Sequence, residues 1–216
     1  MTPESPTPTG GWASEEQVDW YVERLSRLEQ ERTGELVLLD ALADAPQRVL
    51  DLGCGDGHLA AAVLEARPSV NDVVAVDRSA PMLVRARGRF AGDSRVAVMN
   101  HDLGDSIERL GRFDVVVSGF AIHHLEHWRK RTLFEEIAAS LSPGGVFLNL
   151  EVVASATPTL HQEFLELIGR TDDDPEDRLA PVEDQLVWMR SAGLTEVDCL
   201  WRWRGFALLV GQSATV

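Results

Sequence analysis

The stretch VLDLGCGDGHLA, residues 49–60, constrains the fold more than any other part of the chain. It starts as an apolar run that carries an aspartate, and then places Gly53, Gly55 and Gly57 directly before an alanine-rich segment. Because glycine adopts backbone conformations that other residues avoid, the stretch predicts a strand, a sharp turn and a helix. A turn of this kind lets a ligand approach the backbone at the carboxyl end of the strand.

Strand-like runs alternate with helical segments from Gln47 to about Ala154. The predicted strands are RVLDL, VVAVD, RVAVM, FDVVVSG and GGVFLNLEVV. Helices are predicted between them near residues 58–66, 80–90 and 128–141. Alternation at this pitch predicts parallel strands with crossover helices on both faces, which is a doubly wound α/β sheet.

The pattern changes after Ala154. Helices are predicted near 158–169 and from about 182 to 191, with the acidic segment TDDDPEDRLAP between them. The following TEVDCLWRWRGFALLVG contains two strand-like runs on either side of Gly205. This pattern predicts a closing hairpin whose last strand, FALLVG, enters the sheet antiparallel, so the sheet has seven mostly parallel strands.

The beginning of the chain divides into a tail and two predicted helices. Residues 1–11 are rich in Pro, Thr and Gly and predict a flexible tail. A capping box at Ser14 opens an amphipathic helix that extends to about Thr33, and a second helix is predicted from Glu35 to about Ala43. The prediction is one domain over 12–216, made of N-terminal helices that cover the site (12–45), a cofactor-binding core (46–153) and a substrate-side part with the closing hairpin (154–216).

Charge and apolar content narrow the class of partner. The 216 residues carry a net charge of -15, which disfavours nucleic acids and anionic membranes and favours a small-molecule ligand. No apolar run reaches the roughly 18 residues of a membrane span, and no secretory signal is recognisable. Two cysteines far apart suggest reduced thiols. These observations predict a cytoplasmic protein, either a monomer or a homodimer.

The spacing of the glycines argues against a dinucleotide. The dinucleotide fingerprint G-x-G-x-x-G would need a glycine at position 58, where this chain has His58. Asp51 stands two residues before the first glycine, and its carboxylate would repel a pyrophosphate. A carboxylate there can instead accept hydrogen bonds from an ammonium group, so the ligand is expected to carry a cation.

These motifs together resemble the class I S-adenosylmethionine-dependent methyltransferases, small-molecule branch. LDLGCGDG matches the first motif of that family, VVAVDRSAPML the second, NHDLGD the third, and FDVVVSGFAIHHL the fourth, with LSPGG as the usual turn before the fifth strand. The resemblance implies a Rossmann-like fold and S-adenosylmethionine as cofactor. It implies that Asp77 takes the ribose hydroxyls, Arg78 and Met82 flank the adenine, and Asp102 and Leu103 read its edge. The full predicted cofactor-binding set is Asp51, Gly53, Cys54, Gly55, Gly57, Asp77, Arg78, Met82, His101, Asp102, Leu103, Ser118, Gly119 and Phe120.

The run HHLEH raises the questions of a base and of a metal. His123 and His127 are four residues apart, as in some zinc sites, but the segment lies at a strand-to-helix junction and no third ligand is evident, so no metal is predicted. His124, or alternatively His123, is the candidate general base, because an imidazole can take a proton from a substrate near neutral pH. A purely structural histidine is the alternative.

Substrate contacts are expected outside the common core. The candidates are Trp12, Trp20, Tyr21, Glu151, His161, Arg202 and Trp203, and the alternative for each Trp is a place in a lid or at the edge of the core. The predicted function is methyl transfer to a small molecule, with the acceptor atom open. The alternatives are an enzyme of the same fold that uses the sulfonium for other chemistry, and a non-catalytic S-adenosylmethionine-binding protein.

Overall fold

The computed structural model describes residues 29–215. Its elements follow one another as a helix, a run of alternating strands and helices, and a final hairpin. The helices are α1 (Glu29–Asp40), α2 (His58–Ala66), α3 (Ala80–Arg89), α4 (His127–Ser140), α5 (Pro158–Leu167) and α6 (Val182–Ser191). The strands are β1 (Arg48–Leu52), β2 (Asp72–Asp77), β3 (Val96–Asn100), β4 (Phe113–Gly119), β5 (Leu141–Val152), β6 (Thr195–Trp203) and β7 (Phe206–Gln212).

All seven strands form one sheet in the order β3-β2-β1-β4-β5-β7-β6. The pairs from β3 to β5 are parallel, whereas β7 is antiparallel to both β5 and β6. The order reverses beside β1, and open α/β sheets bind ligands at such a switch point, outside the carboxyl ends of the strands. The predicted doubly wound sheet with its antiparallel closing hairpin is confirmed.

The two faces of the sheet bury separate apolar cores. Alternate residues of β1 point to opposite faces: Leu50 and Leu52 pack with Phe134 of α4, and Val49 packs with Leu38 of α1 and the apolar face of α2. This alternation follows from the two-residue period of a strand. Burial on both faces holds the strand ends, and the turns attached to them, in fixed positions.

One predicted boundary is wrong. The sequence suggested that a helix ends near Thr33 and another begins at Glu35, but α1 continues through Gly34. A Cβ at Gly34 would lie 2.7 Å from Leu150 and 2.9 Å from Trp201. Gly34 is therefore needed for close packing of α1 on the sheet, and this packing outweighs the low helix propensity of glycine.

The other boundaries differ only slightly from prediction. β5 begins at Leu141 instead of Gly144, and β3 begins at Val96 instead of Arg95. Within residues 29–215, none of the helices combines the length and apolar character that crossing a bilayer requires. The predicted tail and most of the first predicted helix lie outside the described residues.

Candidate functional site

A cavity of about 630 Å³ opens at the carboxyl ends of β1, β2 and β4. The Gly-rich turn forms its floor, and α1 lies over one side. Of the predicted residues, the lining contains Asp51, Gly53, Cys54, Gly55, Asp77, Arg78, Met82, His101, Asp102, Leu103, Gly119, Phe120 and His124. The motifs of four separate strands therefore meet in one cavity.

Asp51 is the most unusual group of this cavity. It is fully buried at the end of β1, and neither carboxylate oxygen has a partner in hydrogen-bond geometry among the described residues. Burial, followed by the nearby Asp77 carboxylate, raises the pKa of Asp51 to about 7, and the backbone amide of Ala60 offsets part of this rise. A buried carboxylate without partners is costly, and a cation entering the cavity would stabilise it.

The glycines of the turn have distinct roles. Gly53 has a φ of +70°, and a Cβ there would lie 2.2 Å from the Ala121 Cβ, so no side chain fits. Gly55 has a φ of +54°, and its Cβ would meet only the Met82 sulfur, at 3.8 Å, inside the cavity. A side chain at Gly55 would therefore fill space that a ligand can use.

Gly57 does not line the cavity, although it was predicted to bind the cofactor. Its φ is +82°, and a Cβ there would lie 2.5 Å from the ring of Phe90. It precedes α2 directly at His58. Gly57 therefore serves the turn and the packing of α2.

Asp77 is held at the end of β2 by two backbone donors. Its Oδ2 accepts a hydrogen bond from the Gly55 amide at 2.9 Å, and its Oδ1 accepts one from the Ser79 amide at 2.7 Å. Burial raises the pKa of Asp77, and these two hydrogen bonds oppose the rise. The carboxylate is thus fixed beside the Gly-rich turn and keeps lone pairs for a ligand's hydroxyl groups.

The third motif, NHDLGD, lines the same end of the cavity as Asp77. His101, Asp102 and Leu103 follow β3 and line the cavity. The Asp102 Oδ1 accepts a hydrogen bond from the Gly104 amide at 2.8 Å, so this carboxylate also caps its own loop. Leu103 is buried and offers an apolar surface to a planar ring.

The other end of the cavity is built around a short turn after β4. Phe120 lines it with a φ of +54°, which is a strained conformation for a bulky residue. His124 lines it as well, and the Nδ1 of His124 lies 3.3 Å from Oδ1 of Asp177. Burial lowers the pKa of His124, and His123 acts in the same direction while Asp177 opposes it. The neutral imidazole is therefore favoured.

His123 lies behind this surface. Its side chain is buried, and its Nδ1 is 2.6 Å from Oε1 of Glu151, which is itself fully buried on β5. Its Nε2 lies 3.5 Å from the same Asp177 oxygen that faces His124. The two histidine rings are 4.0 Å apart at their centroids. The predicted contact of Glu151 with substrate is thus replaced by a contact with His123.

Other predicted residues lie away from the cavity lining. Ser118 is buried and donates to the Leu52 carbonyl at 2.9 Å. His161 pairs with Asp173, and Arg202 lies 3.6 Å from Glu183. Trp203 stacks on Phe206 in an aromatic cluster, which agrees with the packing alternative. The remaining candidates Trp12, Trp20 and Tyr21 lie outside the described residues.

Sequence reasoning missed several residues of the lining. Sequence reasoning also missed Asp177, which contacts the histidines and does not line the cavity, because the acidic segment around it has the composition of a solvated loop. The residues of α1 were expected only to cover the site, without a contact to a ligand. Asp56 was overlooked although its position inside the Gly-rich turn was the clearest signal. The missed lining residues are Glu31, Arg32, Glu35, Leu36, Asp56, His58, Leu59, Ser79, Arg89, Ala121, Leu125 and Leu150.

Comparison with known proteins identifies the domain. Residues 49–145 match the model of a family described as "Methyltransferase domain". An uncharacterised methyltransferase of Mycobacterium tuberculosis is 40% identical over 133 residues, which cover 59% of this chain and 63% of that protein. A trans-aconitate 2-methyltransferase of Acidovorax ebreus is 30% identical over 169 residues, covering 77% of this chain and 62% of that protein. These matches thus span less than two thirds of either relative.

Solved structures share the fold. An O-methyltransferase family protein from Burkholderia thailandensis superposes with a TM-score of 0.73 at 24% identity, over 94% of this chain and 62% of that one. Human N-acetylserotonin methyltransferase, solved in complex with SAM, gives a TM-score of 0.70 at 17% identity, over 94% of this chain and 58% of that one. At these identities the likeness shows the fold alone.

The residues of the cavity fit S-adenosylmethionine. Asp51 supplies a buried carboxylate without partners, suited to an ammonium group, and Asp77 supplies a fixed carboxylate suited to ribose hydroxyls. The Gly55 position leaves open space in the same cavity. With the matching domain model over residues 49–145 and the relatives, this fit makes the chain similar to the S-adenosylmethionine-dependent methyltransferases.

Proposed function

We propose that this protein transfers a methyl group from S-adenosylmethionine to a small-molecule acceptor. The observation that carries the proposal is the pairing of Asp51 and Asp77 on either side of the glycine turn in one cavity. Asp51 would hold the ammonium group, and Asp77 would hold the ribose. When bound, the cofactor supplies an activated methyl group on a sulfonium.

The same residues argue against a dinucleotide at this site. A pyrophosphate would lie near the fully buried Asp51 and the half-buried Asp77, and placing like charges together at such a site is strongly unfavourable. The cavity also has His58 where a dinucleotide turn needs its third glycine. The chain's own charges thus favour a cationic ligand.

The acceptor would enter at the end lined by Phe120 and His124. Ala121 and Leu125, from the same turn as Phe120 and His124, add apolar surface to this end. A cavity of about 630 Å³ that also holds the cofactor leaves room for a compact acceptor. The net charge of -15 favours such a molecule over a nucleic acid. One relative is named trans-aconitate 2-methyltransferase, after a small-molecule acceptor.

The role proposed for the protein in the reaction is mainly alignment. A walled cavity holds the acceptor in line with the activated methyl group and excludes water. His124 is the side chain that would meet the acceptor, and His123 acts through its contacts with Glu151 and Asp177. The acceptor atom, the monomer or homodimer state and the cytoplasmic localisation stay predictions.

Ligand binding tests whether the cavity holds S-adenosylmethionine. S-adenosylhomocysteine at 100 times its dissociation constant should stabilise the fold by about 2.7 kcal/mol, whereas NAD and NADP should have no effect. Thermal unfolding with each compound measures this. Stabilisation by NAD without stabilisation by S-adenosylhomocysteine would reverse the assignment.

Product analysis tests whether the protein transfers the methyl group to a small molecule. Protein incubated with methyl-labelled S-adenosylmethionine and a metabolite extract should give a labelled small molecule and S-adenosylhomocysteine in equal amounts. Transfer of another group, or cyclisation of the cofactor, would identify the first alternative. Cofactor binding without any turnover across extracts would favour the non-catalytic alternative.

A further inference from the structure

Three side chains with metal-binding chemistry converge behind the acceptor end of the cavity. His123 and His124 come from the turn after β4, and Asp177 comes from the loop between α5 and α6. One ligand atom from each lies within 4.8 Å of the other two. Their side chains are only 7%, 15% and 6% exposed, so the cluster is not a solvated surface group.

The separations suit a single ion. Oδ1 of Asp177 lies 3.3 Å from Nδ1 of His124 and 3.5 Å from Nε2 of His123. Nitrogen and oxygen ligands at about 2.0–2.2 Å from a tetrahedral ion lie roughly 3.3–3.6 Å apart. The two separations that involve Asp177 already have this value, and ligand atoms of all three residues lie within 4.8 Å of one another.

A second observation, independent of these distances, concerns Glu151. Its Oε1 lies 2.6 Å from the Nδ1 of His123, and this fixes the imidazole so that Nε2 faces Asp177. Histidine ligands of metals almost always donate their other ring N–H to such a carboxylate. The strand β5 thus supplies the outer partner that a metal-binding histidine needs.

The charges around the cluster also favour a cation. Glu151 and Asp177 are two buried carboxylates, and Asp174 lies nearby in the same loop. Lys130 is the buried cation beside them, and its ammonium group donates to the His123 and Arg178 carbonyls. Arg170, which is partly exposed, also acts on Asp177. Buried carboxylates in excess of buried cations are stabilised by a divalent ion.

We propose that His123, His124 and Asp177 bind a divalent transition-metal ion of the zinc class. His123 and His127 have no third ligand in the sequence, whereas the fold brings Asp177 to His123 and His124. Because His124 lines the cavity, the remaining coordination position would face the acceptor.

The effect on the reaction rests on the proposed function. A hydroxyl acceptor bound at the open position would lose its proton to water, and its oxygen would form the new bond to the methyl carbon. The carbon–sulfur bond would break with its electrons remaining on sulfur, giving a neutral thioether. The metal would supply Lewis acidity and undergo no redox change.

Cobalt(II) and zinc titrations of the metal-stripped protein test the site without any activity measurement. Cobalt(II) should give the intense visible absorption of a tetrahedral site, and calorimetry should show one zinc ion per chain. His123→Asn and Asp177→Asn should each weaken binding at least 10-fold, and Glu151→Gln by about 10-fold to 100-fold. His127→Asn is the matched control, since His127 lies four residues away and contacts the Leu179 carbonyl. The zinc affinity of the His127→Asn variant should be unchanged.

Several outcomes would overturn the site. These are the absence of zinc binding, a cobalt spectrum of the hexaaqua type, and equal weakening by His127→Asn and His123→Asn. Circular dichroism of each variant shows whether it is folded, and Asp177→Asn, in a loop, serves if His123→Asn unfolds. Because binding is measured directly, a metal site in a protein without methyl transfer would reject the proposed function and retain the site.

Discussion

The two ends of the cavity are built in different ways. At the end proposed to hold the cofactor, the two carboxylates lie in the last residues of neighbouring strands, Asp51 on β1 and Asp77 on β2. At the acceptor end, His124 meets Asp177, which is 53 positions further along the chain and belongs to a loop. Strand ends of a doubly wound sheet recur in fixed places, whereas the loop is placed by tertiary contacts alone.

The loop that carries Asp177 also contacts the cofactor end. Glu176 pairs with Arg78 at 2.6 Å, and the Arg178 amide donates to the His123 carbonyl at 2.9 Å. Adjacent residues of one segment therefore reach both ends of the cavity. The substitutions below measure how independent the two ends are.

The largest effect is expected from Asp51→Asn. Asp51 has a pKa of about 7 in the folded chain and an ordinary value of 3.8, so the folded state holds the proton more tightly. The stability of the cofactor-free protein should therefore fall as the pH rises from about 4 through about 7, and Asp51→Asn should remove this fall. At pH 8 the variant should be more stable by about 2–4 kcal/mol.

Urea unfolding at pH 5 and pH 8 measures this difference. Asp72→Asn is a control, because Asp72 is on the same sheet but its carboxylate is half-exposed and pairs with Arg48. The same Asp51 variant should bind S-adenosylhomocysteine more weakly. Equal pH dependence in wild type and Asp51→Asn would show that Asp51 is not the strained group of the cofactor end.

His124→Asn should have the next largest effect. Turnover is expected to fall on the order of 100-fold, because the imidazole proposed to meet the acceptor is lost. The affinity for S-adenosylhomocysteine should hardly change, because His124 is at the acceptor end. Steady-state kinetics with the identified acceptor, beside calorimetry, separates the two effects, and His127→Asn is the control.

Two other results for His124→Asn would change this comparison of the two ends of the cavity. If His124→Asn turns over as fast as wild type, the acceptor needs neither a base nor a metal, and alignment alone accounts for the reaction. If it loses cofactor affinity as strongly as turnover, the two ends of the cavity are coupled.

Asp77→Ala should weaken S-adenosylhomocysteine binding by about 1.5–3 kcal/mol, the usual value of a hydrogen bond to a charged group. The variant also removes the acceptor for the Gly55 and Ser79 amides, so part of the loss comes from the turn itself. Asp77→Asn, which keeps one acceptor oxygen, should lose less. An unchanged dissociation constant in a folded Asp77→Ala variant would exclude Asp77 from the site.

The smallest effect is expected from Glu176→Gln. The Arg78 and Glu176 side chains are 49% and 38% exposed, and exposed ion pairs contribute between about 0 and 1 kcal/mol. Cofactor affinity and melting temperature should therefore change little. A loss of turnover comparable to that of His124→Asn would show that this ion pair positions Asp177.

The fold was largely predictable because its signals are local. The strand runs, the positive-φ glycines and the Gly205 hairpin each depend on a few consecutive residues. The continuity of α1 was not predictable, because Gly34 is explained only by the proximity of Trp201 and Leu150. Local helix propensity cannot report a contact that is more than 100 positions away.

The difference between local signals and contacts distant in sequence also applies to the candidate site. Most residues that line the cavity could be predicted because they lie at or just after the end of a recognisable strand, whereas the burial of Glu151 under His123 depends on the pairing of β4 with β5. Glu151 and Asp177 are carboxylates in a chain with 35 acidic residues, so their type alone could not distinguish them. Only the fold shows which carboxylates face the histidines.

The position of β7 has a consequence for the order of folding. β7 follows β6 in the chain but lies between β5 and β6 in the sheet. During synthesis the edge of β5 therefore has no strand partner until β7 has left the ribosome, and β6 can join only through β7. An uncovered strand edge invites pairing with other chains. The nascent chain should thus be most prone to aggregate while residues 206–212 are still inside the ribosome tunnel.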